Sequence, residues 1–143
     1  MSDLELLDHP TAGSYVPVMR AGDLVYVSGH IGWRDGKASV VGVLGGDLSV
    51  EQGKVAARDA ALSALGTLNR EFGLDRIASV VRLFGMVRAD PGFTQHPAVI
   101  DGASEVLLEL LGERGRHSRS AVGMTSLPFG AAVELEIVVR LDG

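Results

Sequence analysis

The sequence predicts a single α+β domain with the element order β-β-α-β-α-β-β, and three observations predict it. Two amphipathic helical patterns, each followed by a glycine, lie between runs rich in β-branched residues. Most of the stretch RHSRSAVGMTSLPFGAAVELEIVVR reads as two alternating strands. The 143 residues contain no low-complexity tract or internal linker, so the length suits one domain spanning residues 1–143.

Residues 1–13 precede the first strand signal and are expected to form a flexible N-terminal extension. Ser14–Arg20 and Leu24–Gly29 are β-rich runs split by Ala-Gly-Asp, the pattern of a hairpin. Asp35-Gly36 marks a second tight turn. A short strand is expected near Ala38–Val43, within a glycine-rich stretch. Ser49 with Gln52 three residues on forms a capping-box pattern. It opens a helix whose Val55, Leu62, Leu65 and Phe72 recur at helical spacing, with Gly73 as its stop. A strand is expected over Ile77–Val87. Pro97 suits the first turn of a second helix, where Val99, Ala103, Val106 and Leu110 share a face and Gly112 ends the run. Both helices carry one apolar stripe, so both should lie on the same sheet with their outer faces in water.

Composition narrows the function. There is no cysteine, which removes disulfides, thiolate metal sites and a cysteine nucleophile. The net charge is −5 and no basic run stands out, so no nucleic-acid partner is expected. No apolar run is long enough to span a bilayer, and MSDLELLDHP lacks the basic and apolar regions of a signal peptide; a cytoplasmic protein without membrane association is expected. No cofactor or metal is expected either. His9, His96 and His117 have no metal-ligand spacing, and GVLGGDL lacks the lysine and glycine spacing of a phosphate loop.

Two charges stand inside the closing strands. Val133, Leu135, Ile137 and Val139 share the face expected under the helices, which turns Glu134 to the open face. Counting from Val122 and Met124 as helix-covered residues puts Arg119, Ala121 and Gly123 on the open face as well. Arg119 and Glu134 are thus expected on one helix-free surface, either as an ion pair or as a working pair.

The motifs YVPVMRAGDLVYVSGHI, GGDLSVEQ, RHSRSAVG and LPFGAAVELE agree in order and spacing with one family. From about Tyr15 to Leu141 the chain resembles the YjgF/YER057c/UK114 family, the reactive intermediate deaminase (RidA) family. The resemblance implies a chorismate-mutase-like fold, with a mixed sheet carrying two helices on one face. It also implies a homotrimer with active clefts between subunits, and hydrolysis of enamines and imines such as 2-aminoacrylate to 2-keto acids and ammonia. By the same resemblance Arg119 is the carboxylate-binding arginine and Glu134 the water-orienting glutamate. Tyr15, Ser28, Gly29, His30 and Ala121 are the remaining substrate contacts.

The chemistry gives these residue types a reason. A guanidinium grips a carboxylate with two parallel hydrogen bonds. A carboxylate within reach of a water orients it and accepts its proton. Ala121 stands where some deaminases carry a cysteine, His30 where glutamine is frequent, and Ile100–Ser104 (IDGAS) where an asparagine occurs. These departures keep open a trimeric protein that binds small carboxylates without turnover. A ribonuclease is a third reading, and the acidic charge weighs against it. His30 also fits a histidine closing a strand end, and Tyr15 an interface aromatic.

Overall fold

The computed structural model describes residues 4–143. Five strands, β1 (Val18–Ala21), β2 (Leu24–His30), β5 (Ile77–Arg88), β6 (Ser118–Met124) and β7 (Val133–Leu141), form one sheet in the order β1-β2-β7-β5-β6. All pairings are antiparallel except β5–β6, which run parallel. A parallel pair needs a crossover, and helix α2 (His96–Leu111) supplies it. The longer helix α1 (Val50–Glu71) lies beside α2 on the same side of the sheet. This is the two-helix, one-sided mixed sheet that the sequence predicts.

Local chemistry fixes the helix ends. Ser49 caps α1: its Oγ accepts the Gln52 N–H while Gln52 Oε1 accepts the Ser49 N–H. A cap of this kind stabilises a helix by about 1 kcal/mol. The inner face of α1 is rich in alanine, with Ala57, Ala60, Ala61 and Ala64 fully buried beside Leu65 and Leu68. Small side chains let the helix sit close on Val25, Leu135, Ile137 and Val139 of the sheet.

A two-stranded hairpin, β3 (Trp33–Arg34) and β4 (Lys37–Ala38), stands apart from the main sheet. Asp35 and Gly36 both take positive φ at its tip, as the two central positions of such a turn require. Arg34 clamps the hairpin to α1 through two hydrogen bonds to the buried Asp59. The strand expected over Ala38–Val43 is shorter than its sequence pattern. Only Ala38 joins β4, and Val41 and Leu44 make isolated bridges, because the glycines here turn the chain away from a continuous ladder.

Of the N-terminal extension, residues 1–3 lie outside the described residues, and the part after them is tied down. Leu4, Leu6 and Leu7 pack on the core, the Leu7 N–H donates to the Leu62 carbonyl, and Asp8 pairs with Arg70 of α1. Gly66 makes this approach possible, since a side chain there would overlap the Leu7 carbonyl. Where the sequence predicts a flexible segment, the structure has a strap across α1.

Candidate active site

Glu134 projects from the open face of the sheet. Its cross-strand partner is Met86, and Gly29 of β2 lies so close that a methyl there would run into Glu134 Oε2. The carboxylate is half-buried, and no cation pairs with it among the described residues. Burial pushes its carboxyl above the usual range, and the negative charge of Glu136 adds to the effect. Ser28 stands next to Gly29. Its N–H donates to Pro17 and its Oγ donates to Val16, which fastens the Tyr15–Pro17 segment alongside β2. Tyr15 itself is exposed. The structure therefore gathers Glu134, Gly29 and Ser28, with the Tyr15 segment fastened beside them.

Arg119 does not join this group. The parallel register sets Arg119 opposite Leu83, Ala121 opposite Gly85, and Gly123 opposite Val87. Leu83 and Val87 are buried beneath the helices, so Arg119 and Ala121 share their side of the sheet. The expectation that Arg119, Ala121 and Gly123 lie on the open face is overturned. The physical reason is the close approach of α2. A methyl on Gly85 would strike Ile100, and one on Gly123 would strike His96. Only small residues fit beneath the start of α2, so the larger Val122 and Met124 take the other side.

On its own side Arg119 is held in a dense network. Nη1 donates to Asp101 Oδ1 at 2.8 Å and to Ser104 Oγ at 3.1 Å, and Nη2 donates to the Pro97 carbonyl at 3.3 Å. All three acceptors belong to α2. His117 completes the arrangement. Its Nδ1 lies 2.6 Å from the Gly115 carbonyl, which can only accept, so Nδ1 carries the proton. In the neutral ring Nε2 accepts the Ser104 hydroxyl hydrogen at 2.8 Å, leaving the serine lone pairs for Arg119. Asp101 and Ser104 were not singled out in the sequence as partners of Arg119. Their spacing of three, which puts two polar side chains on one helix face, is the signal that could have found them.

His30 is also placed differently from the substrate-contact expectation. Between Val27 and His30 the register of β2 slips against β7, so His30 pairs with Leu135 on the helix side. Its ring is 2% exposed. Nδ1 donates to the Ser28 carbonyl at 2.6 Å and Nε2 accepts from Thr67 Oγ1 at 2.7 Å. Burial pushes the imidazole down to about 4, so it is neutral at pH 7. His9 of the strap stacks on it, and Trp33 and Phe129 extend the row of rings. The imidazole of His30 is a core group, and its ring is not available to a substrate.

The fold meets its counterparts in known proteins. Residues 2–139 match the family model described as "YjgF/chorismate mutase-like, putative endoribonuclease". The chain belongs to the YjgF/chorismate mutase-like family. Protein TCP17 of Trypanosoma cruzi is 41% identical over 133 residues, covering 92% of this chain and 83% of its own. The crystal structure of Atu1372 from Agrobacterium tumefaciens, a protein described as of unknown function, is 40% identical with a TM-score of 0.88 over 90% of this chain and 83% of that one. A structure from Shewanella oneidensis, described as a putative endoribonuclease, is 35% identical with a TM-score of 0.93 over 96% and 93% of the two chains. No helix among the described residues is long and apolar enough to cross a membrane.

Proposed function

We propose that this YjgF-family protein hydrolyses carboxylate-bearing enamines and imines to 2-keto acids and ammonia, in clefts shared between the subunits of a homotrimer. The observation that carries the reading is the uncompensated Glu134 carboxylate on the open face. A half-buried carboxylate with no cation beside it costs stability, and such groups concentrate where a base is needed. In this reading Arg119 of one subunit holds the substrate carboxylate. Glu134 of the next, backed by Gly29, orients a water against the imine carbon. As the C–O bond forms, Glu134 takes the water proton. Glu134 then passes that proton to the nitrogen, and as the C–N bond breaks and ammonia leaves, it takes the remaining hydroxyl proton so that the carbonyl forms. The reaction requires no cofactor.

The open face supports assembly. Met19, Tyr26 and Val81 are exposed, and the Arg82 guanidinium lies 5.1 Å from the Phe84 ring centre on the same side of the sheet. A contiguous apolar face with interspersed cations is an interface by default. A carboxylate-binding role without turnover is the second reading, favoured by Ala121 where some deaminases carry a cysteine and by the burial of His30. The deciding experiment is a coupled assay. A dehydratase generates 2-aminoacrylate, and keto-acid release is followed with and without this protein. Acceleration over water supports hydrolysis. Ligand binding without acceleration supports the second reading, and cleavage of RNA in place of either supports a ribonuclease.

A further inference from the structure

We infer that Asp101 is a specificity-determining residue, and that the Arg119 site selects ligands carrying a positively charged nitrogen beside their carboxylate over plain carboxylates. The inference rests on the reading of Arg119 as a carboxylate clamp, and it names the class of ligand that this clamp accepts.

Both Nη1 hydrogens of Arg119 are used, one on Asp101 and one on Ser104, and Nη2 spends one on Pro97. The Nε–H and the second Nη2–H remain. They form one edge of the guanidinium plane when Pro97 takes the Nη2 hydrogen on the Nη1 side, and that edge receives a carboxylate side-on through two hydrogen bonds. The clamp is therefore half-occupied and still competent.

The charge beside it is what sets the preference. Asp101 Oδ1 is 2.8 Å from Nη1, and its side chain is 52% exposed against 23% for Arg119. An incoming anion therefore meets a cation already neutralised by a solvent-facing carboxylate. Next to it, Arg116 is balanced by Glu113. Arg119 and Arg116 border a hollow of about 320 Å³ with Ser104, His117 and Leu108. A simple carboxylate brings a net negative charge to a site whose charges already cancel. A zwitterion brings none: its carboxylate meets the open edge of Arg119, and its ammonium or iminium N–H can donate to Asp101. The same asymmetry acts on the proposed reaction. The iminium substrate carries the N–H donor and the keto-acid product lacks it, so Asp101 favours entry of the one and departure of the other.

The test uses the full chain and two small probes that differ only in the nitrogen, L-alanine and propionate, with affinities read by calorimetry. The variants are Asp101→Asn, which keeps shape and removes charge, Asp101→Ser as a second replacement should the first fail to fold, and Arg119→Ala. The unaltered protein is expected to bind alanine at least about tenfold more tightly than propionate, and Asp101→Asn to lose that preference by weakening alanine and strengthening propionate. Equal binding of the two probes by the unaltered protein overturns the inference. So does an Asp101→Asn variant that weakens both alike, which would make Asp101 a positioning residue for Arg119 only. If neither probe binds, or if both bind Arg119→Ala as well as the unaltered chain, the clamp reading falls and the inference falls with it.

Discussion

Arg119 and Glu134 project from opposite faces of one sheet: Arg119 reaches α2 on the helix side, and Glu134 stands on the open face beside Gly29. With β5 between their strands, one chain does not bring both side chains to one small substrate. If both act on the same molecule, they come from different subunits. Mixing tests this directly. Arg119→Ala and Glu134→Gln should each be inactive alone. Co-refolded in equal amounts, they should recover about a quarter of the unaltered activity, because random assembly of a cyclic trimer gives one intact Arg–Glu cleft in four. No recovery above the separate variants would show that the two residues do not share a cleft across an interface.

Gly29 makes a sharper test of the Glu134 position. A methyl at residue 29 would occupy the space of Glu134 Oε2. Gly29→Ala should displace the carboxylate and cut kcat by about 10²-fold, as misplacement of a catalytic group by roughly 1 Å can do. Affinity for a carboxylate ligand should hold, since Arg119 is elsewhere. Steady-state kinetics with calorimetry separates the two effects. A variant with unchanged kcat would mean that the carboxylate position does not matter.

Glu134→Gln joins activity to stability with opposite signs. Loss of the base should reduce turnover by about 10²–10⁴-fold. Stability should rise. Burial raises the carboxyl's folded-state pKa above its unfolded value, so ionisation destabilises the fold as pH climbs through and beyond that interval. At pH 7 the neutral glutamine removes this cost, and Tm should increase by about a few degrees. Below about pH 4 both side chains are neutral and the gain should vanish. Thermal melts at pH 7 and pH 3.5 decide it, and a glutamine variant that melts lower at pH 7 would contradict the account.

Much of this was legible in the sequence because it depends on local rules. Ser49 and Gln52, the Asp35-Gly36 turn, and the alternation Val133, Leu135, Ile137, Val139 each appear in the structure in their expected roles. The face of β6 was not legible. Alternation gives two faces but not which is inward, and the usual choice of larger apolar residues for the core fails where a helix sits close and admits only Ala121 and Gly123. The buried setting of His30 was not legible either, because the register slips between Val27 and His30 and nothing in the local residue pattern announces it. The docking of the strap depends on Gly66, whose role appears only when Leu7, far from it in sequence, lies against it.

His30 makes the stability of the fold fall as the pH drops below the pKa of an ordinary histidine. The ring is enclosed by Thr67 of α1, the Ser28 carbonyl of β2 and His9 of the strap, with the positive charge of Arg70 also acting on it. Burial is the main cause holding it down at about 4, and the charges of His9 and Arg70 act in the same direction. The unfolded chain takes up a proton at an ordinary histidine near pH 6.5. Between these values the unfolded state binds more protons than the folded one, so stability is complete above pH 6.5 and falls as pH drops toward 4. The full interval corresponds to about 3 kcal/mol. His9, also lowered mainly by burial, adds to the loss with the same sign. Urea unfolding at pH 7 and pH 4.5 should show the unaltered protein losing about 2–3 kcal/mol. His30→Gln should start lower at pH 7, because the Thr67 and Ser28 hydrogen bonds are altered, but should lose much less between the two pH values. If the unaltered chain and the variant lose stability equally over this interval, the buried imidazole is not the group that titrates.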